Sequence, residues 1–227
     1  MQLQNMKLLS GLILDFNNTL VKGNDSEYAG KKLMIDLLRG GHVQTFAKAY
    51  SAFREIRKIV NDGNGSADAL IHGQRIYYKT LIDHKFGHQA KIEKYVGEYV
   101  NAHVIGVVYD IVNSYVNAGM PVILATASGN TSAIVAMEKL GITTAVSNTE
   151  VFTEGLLTGF VQTITSGASK YDAVAEVLYE YNLKLGNCAM IGDDLLDFTL
   201  LKNAGKPFAS PYAIPEVTRI PGIIMLG

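Results

Sequence analysis

The stretch LILDFNNTLV, residues 12–21, carries an apolar run straight into Asp15, with Thr19 four residues later. Three later segments put reactive side chains in comparable places. ILATASGN sets Thr126, Ser128 and Gly129 after an apolar run, SGASKYDAV sets Lys170 at the start of a helical pattern, and MIGDDLLD supplies Asp193, Asp194 and Asp197. Together these are a carboxylate nucleophile, hydroxyls, one cation and an acidic cluster able to hold a hard divalent ion through oxygen. The set suits phosphoryl transfer, in which a carboxylate attacks phosphorus while cations, the Thr126 hydroxyl and turn N–H groups neutralise the phosphoryl oxygens. Singly, each residue has an ordinary reading: Asp15 as a turn residue, Thr126 or Ser128 as a helix N-cap, Lys170 as a solvated charge, Asp194 as a cap. Their order at the ends of alternating elements outweighs those readings.

The elements that must position these residues are legible from periodicity. Leu9–Phe16 reads as a fully buried strand, and short apolar runs recur at 121–126, 144–148, 187–192 and 206–210, each after a helical stretch. Strands alternating with helices predict a parallel sheet covered on both faces, with ligands at the carboxyl ends of its strands. Residues 24–105 break the alternation with four amphipathic stretches, at 26–39, 43–60, 66–84 and 88–103, punctuated by NDGNG at 61–65. Residues 149–164 predict a β-hairpin turning at Glu154 and Gly155. The expected organisation is an α/β core of residues 1–23 and 106–227, interrupted by a helical unit of residues 24–105.

Composition narrows the function classes. With 48% hydrophobic residues in 227, the chain can bury a substantial core. A net charge of −1 without blocks of like charge argues against nucleic acid or an anionic membrane as partner and for a small molecule. A single cysteine, Cys188, excludes an intrachain disulfide framework and suits a reducing compartment. The N-terminal run is cut by Asp15 and lacks a small-residue cleavage site, and no run of 18 apolar residues occurs, so a cytoplasmic location is expected. His84 and His88 have the spacing of a metal pair, but Gly87 between them is expected to end the helix.

These motifs resemble those of the haloacid dehalogenase superfamily of phosphohydrolases, most closely its phosphoserine-phosphatase-like branch, over nearly the whole chain. The Asp-x-Asp-x-Thr pattern after the first strand is matched by Asp15-Phe16-Asn17-Asn18-Thr19; the Ser or Thr ending the next core strand by Thr126; the Lys by Lys170; and Gly-Asp with a second acid four residues on by Asp193 and Asp197. The resemblance implies a Rossmann-like parallel sheet with a helical cap inserted after its first strand. It implies an aspartyl phosphate on Asp15, with Thr126 and Lys170 holding the phosphoryl group and Thr19, Ser128 and Gly129 lining its site. It also implies Mg²⁺ held by Asp15, the backbone carbonyl of Asn17 and Asp193, with Asp197 orienting the metal's waters or pairing with Lys170.

The departure from the pattern is Asn17. Phosphatases of the family use an acid here to protonate the leaving oxygen and then to activate water, whereas an amide donates a hydrogen bond without exchanging a proton at neutral pH. Losing that assistance costs ~10²–10⁴ in rate. The expectation is a Mg²⁺-dependent hydrolase of a small phosphorylated metabolite, weak or inactive in this version, with Asn17 either introduced or natural. The alternative is a protein of the same fold that binds a phosphorylated ligand in a regulatory or sequestering role. Phosphoserine phosphatases carry a Glu nine residues after the nucleophile to grip the substrate's amino group; here that position is Asn24, with Asp25 beside it. Arg54, Arg57 and Arg75 are candidates to meet an anionic substrate, against the plainer reading of charges on solvated helix faces.

Overall fold

The computed structural model describes residues 8–62 and 66–227. Residues 1–7, and residues 63–65 of the NDGNG punctuation, lie outside it. The chain opens with strand β1 (Gly11–Leu14), followed by helices α1 (Asp25–Arg39), α2 (Val43–Asp62), α3 (Ala67–Asp83), α4 (Gln89–His103) and α5 (Gly106–Asn117). Strand β2 (Val122–Gly129), helix α6 (Asn130–Leu140), the hairpin β3 (Thr144–Thr153) and β4 (Leu156–Val161), and helix α7 (Gly167–Glu180) come next. The chain closes with β5 (Cys188–Gly192), α8 (Phe198–Asn203), β6 (Lys206–Ala209), α9 (Pro215–Thr218) and β7 (Ile224–Met225).

These strands form one sheet in the order β4-β3-β2-β1-β5-β6-β7, parallel except where β4 returns antiparallel to β3. β1 sits in the middle because it is apolar on both faces. Leu12 and Leu14 join a cluster with Tyr115, Val108 and Leu33, whereas Ile13 joins Val174, Met190 and Leu200 on the other side. A strand covered on both faces has no polar face to alternate with, which is why it reads as a continuous apolar run. The chain proceeds from β1 to β2 on one side and later returns to β5 on the other, so the carboxyl end of β1 is a topological switch point.

Local chemistry explains several boundaries. Asn24 and Ser66 cap α1 and α3 through their side chains, accepting from the N–H groups of Glu27 and Ala69. Ser166 and Ser169 form a reciprocal capping box at the start of α7, fixing the turn that carries Lys170. At the hairpin turn Glu154 and Gly155 both have positive φ, 51° and 74°, which suits a tight two-residue connection. The run at 144–148 and the first arm of the expected hairpin prove to be one strand, β3, parallel to β2 at its start and antiparallel to β4 at its end. His84 and His88 flank the loop between α3 and α4 and share no helix.

Asn148 on β3 was not singled out by sequence, yet it joins three segments. Fully buried, it donates to the Ala127 carbonyl at 2.6 Å and accepts from the backbone N–H groups of Thr163 and Ile164, each at 2.8 Å. It thereby fastens the end of β2 to the segment leading into α7. Asn148→Ala strands the buried Ile164 N–H, at about 1–3 kcal/mol, whereas the Ala127 carbonyl keeps its bond from the Gln74 amide and the Thr163 N–H lies on an exposed residue. Urea denaturation is expected to show a loss of about 1–3 kcal/mol; a change within about 0.5 kcal/mol, the level of an ordinary surface substitution, would contradict this role.

Candidate active site

Sheet register brings the motif residues together. Leu14 pairs with Leu124 of β2 and Ile191 of β5, so Asp15 and Asp193, just past the ends of β1 and β5, stand at nearly the level of Thr126, which lies inside β2 rather than at its end. The Asp15 N–H donates to the Ile191 carbonyl at 3.1 Å, carrying the ladder one residue past β1. Beyond it the chain turns at Asn18, with φ 55°, a left-handed conformation that asparagine tolerates. The Ser210 hydroxyl donates to the Asn18 carbonyl at 2.6 Å and steadies this turn from the end of β6.

Lys170 lies at the centre of the cluster. It is 1% exposed, and its ammonium donates to Asp15 Oδ1 and Asp197 Oδ1, each at 2.6 Å. Burial works against its charge, but the two carboxylates outweigh burial and hold its pKa above the usual lysine range. The other Asp197 oxygen accepts from the Asp193 N–H at 3.0 Å, so Asp197 is committed to Lys170 and to the loop. A Cβ on Gly192 would collide with the Asp197 carboxylate, so the glycine before Asp193 is needed for this approach.

Asp193 accepts from the Thr19 hydroxyl at 2.8 Å, and both residues are buried. One carboxylate oxygen from each of Asp15, Asp193 and Asp197 lies within 4.8 Å of the others. Burial, with the neighbouring acids, pushes Asp15 up to about 8 against the pull of Lys170, and raises Asp193 well above the carboxylate range. Burial also lifts Asp194 to about 6, although its carboxylate accepts from the Leu196 N–H. One ammonium does not balance so many acids. A divalent cation with oxygen ligands would relieve the excess, so the donor set fits Mg²⁺.

Next to this cluster lies a second network. Asn17 donates to Asp25 Oδ1 at 2.8 Å and to Ser128 Oγ at 3.0 Å, while its own oxygen accepts from the Asp25 N–H at 3.0 Å. Ser128 donates to Asp25 Oδ1, and the Ser132 hydroxyl donates to Asp25 Oδ2. Thr126 Oγ1 accepts from the Ser128 N–H. Gly129 lies against the Glu150 carboxylate and the Tyr78 hydroxyl, both of which a Cβ there would strike. Glu150 is itself buried, accepts from the Thr131 N–H at 2.8 Å and has its pKa raised by burial.

The three candidate arginines on α2 and α3 stand apart. Arg54, Arg57 and Arg75 are exposed; Arg57 pairs with Glu27 and Arg75 donates to Gln162. Among the described residues none of the three bonds to the acidic cluster. Sequence reasoning passed over Ser210, Glu150 and the burial of Asp25. Ser210 closes the apolar run at 206–210, so inspecting that strand end would have found it, whereas the other two depend on tertiary packing.

A family model described as haloacid dehalogenase-like hydrolase matches residues 148–224. The phosphoserine phosphatase SerB1 of Mycobacterium tuberculosis is 24% identical over 210 residues, covering 89% of this chain and 65% of that protein. The chain spans only about 65–66% of the length of the curated relatives it matches. Among solved structures, a phospho-aspartyl intermediate analogue of phosphoserine phosphatase aligns with a TM-score of 0.70 at 17% identity, covering 96% of this chain and 94% of that one. A substrate-bound phosphoserine phosphatase complex aligns with a TM-score of 0.71 at 16% identity over the same shares. Residues 148–224 thus resemble the haloacid dehalogenase-like hydrolases, and the fold of the chain is that of the phosphoserine phosphatase structures with which it aligns.

Proposed function

We propose that the protein is a Mg²⁺-dependent phosphomonoester hydrolase for a small organic phosphate, with Asp15 as nucleophile and residues 24–105 as a cap over the core. The observation that carries this reading is Lys170, buried between Asp15 and Asp197 beside the unbalanced acids. Asp15 is held through Oδ1 by Lys170, and Oδ2 takes no hydrogen bond from the described residues. That second oxygen attacks phosphorus, the bond from phosphorus to the leaving oxygen breaks, and an aspartyl phosphate forms. Water then attacks the phosphorus, the bond to Asp15 breaks, and phosphate leaves with the carboxylate regenerated. Lys170 and the Thr126 hydroxyl face the charge on the phosphoryl oxygens. Asp15, the Asn17 carbonyl and Asp193 would hold Mg²⁺, with Thr19 fixing Asp193 and Asp197 fixing the loop behind it. When bound, the ion supplies further charge neutralisation at the phosphoryl group.

Asn17 supplies no proton, so the leaving oxygen must depart as an anion or take its proton from water. The Asn24 side chain is occupied in capping α1, which leaves the amino-group grip of a phosphoserine phosphatase unfilled at that position. These features favour a phosphate ester with a good leaving group.

Two outcomes follow. The protein is expected to hydrolyse aryl phosphates such as p-nitrophenyl phosphate at least ~10² times faster than alkyl phosphates, because the missing acid matters most for poor leaving groups. Equal turnover across esters of graded leaving-group pKa, with at least one true substrate among them, would contradict it. In calorimetric titration, Mg²⁺ binding should be lost or weakened at least about tenfold in Asp193→Ala; unchanged affinity in that folded variant would remove Asp193 from the metal site.

A further inference from the structure

Asn17 and Asp25 interlock through both ends of the Asn17 amide. An amide has a donor end and an acceptor end, whereas a carboxylate only accepts. The Asn17 donor end meets the Asp25 carboxylate and the Ser128 hydroxyl, and its acceptor end meets the Asp25 N–H. An acid in the first turn of a helix is commonplace as a solvated charge beside the helix dipole. Asp25, however, is 2% exposed and reaches off α1 to Ser128 at the end of β2 and to Ser132 on α6. Both of its oxygens are therefore occupied, one of them by the amide of residue 17.

We propose that Asp25 is a positioning residue for the motif around Asp15: it selects an amide at position 17, so that an acid works there only when residue 25 is itself the amide. The catalytic half of this proposal rests on the phosphatase reading above; the pairing half does not. With Asn17→Asp alone, two carboxyl groups face each other where a hydrogen bond of 2.8 Å stood, and they must either repel or hold a shared proton. Leaving buried acceptors without donors is costly. Exchanging the pair, Asn17→Asp with Asp25→Asn, restores the matches. The amide introduced at position 25 then donates to the carboxylate introduced at position 17, and its carbonyl accepts from Ser132. The Ser128 hydroxyl can turn to donate to that same carboxylate, and the residue 25 N–H still donates to residue 17. Asn17 is accordingly the side chain that this site is built to receive.

The test is a double-mutant cycle over positions 17 and 25, read by thermal melting and by kcat and KM on p-nitrophenyl phosphate and a panel of alkyl phosphates. Asn17→Asp is expected to melt about 5 °C or more below the native protein. The exchanged pair should recover most of that loss and exceed Asn17→Asp in kcat by about tenfold or more, with KM little changed. Recovery in kcat without a matching change in KM separates positioning from simple loss of fold. If Asn17→Asp alone melts like the native protein and turns over as fast as the exchanged pair, the proposal is overturned. It is also overturned if the exchanged pair melts no higher than Asn17→Asp. If melting shows the reciprocal rescue but no variant hydrolyses any ester, the pairing stands and the phosphatase reading falls.

Discussion

A buried lysine held between two carboxylates is the constraint on which the rest of this structure depends. Lys170 comes from α7, Asp15 from the end of β1 and Asp197 from the start of α8, so one ammonium joins three segments far apart in sequence. Taking these charges out of water is expensive and is tolerated only when the geometry is good and the remaining atoms are bonded. The capping box before Lys170, the glycine before Asp193 and the Asp197 contact to the Asp193 N–H all serve that geometry. Among the described residues no buried side-chain polar atom lacks a hydrogen-bond partner.

The same arrangement leaves a surplus of negative charge around Asp15 and Asp193, and this surplus connects fold to chemistry. Burial first, and the neighbouring acids after it, push the pKa values of Asp15 and Asp193 upward, so a buried acid cluster with one cation is poorly balanced by itself. It is suited to receiving a cation, and on the proposed reading a phosphoryl group would add its own negative charge beside Lys170. The parallel sheet makes the encounter possible because its register sets Asp15, Thr126 and Asp193 at nearly one level around the switch point.

Much of this was legible in the sequence because strand ends and helix starts have local signatures. Asp15, Thr126, Lys170 and Asp193 each follow an apolar run or open a helical pattern, and the two-residue turn at Glu154 and Gly155 announces the hairpin. What was not legible depends on contacts between distant segments. The burial of Asp25 comes from Ser128 and Ser132, more than a hundred residues later. Asn148 reads as an ordinary polar residue near a strand end, and its role appears only when β2 and the segment after β4 converge on it. Asn17 shows the limit most clearly: in sequence it is a lost acid, whereas in the fold it is an amide with both ends engaged.

The most direct measurement of the central claim is a search for phosphoryl on Asp15. The protein, with Mg²⁺ and an aryl phosphate, is acid-quenched during the first turnover, and the trapped label is mapped by peptide mass spectrometry. A slow second step, in which water lacks a base, predicts that covalent phosphate accumulates on Asp15 and is absent in Asp15→Asn. Hydrolysis at an undiminished rate in Asp15→Asn, or label residing on another residue, would contradict the account.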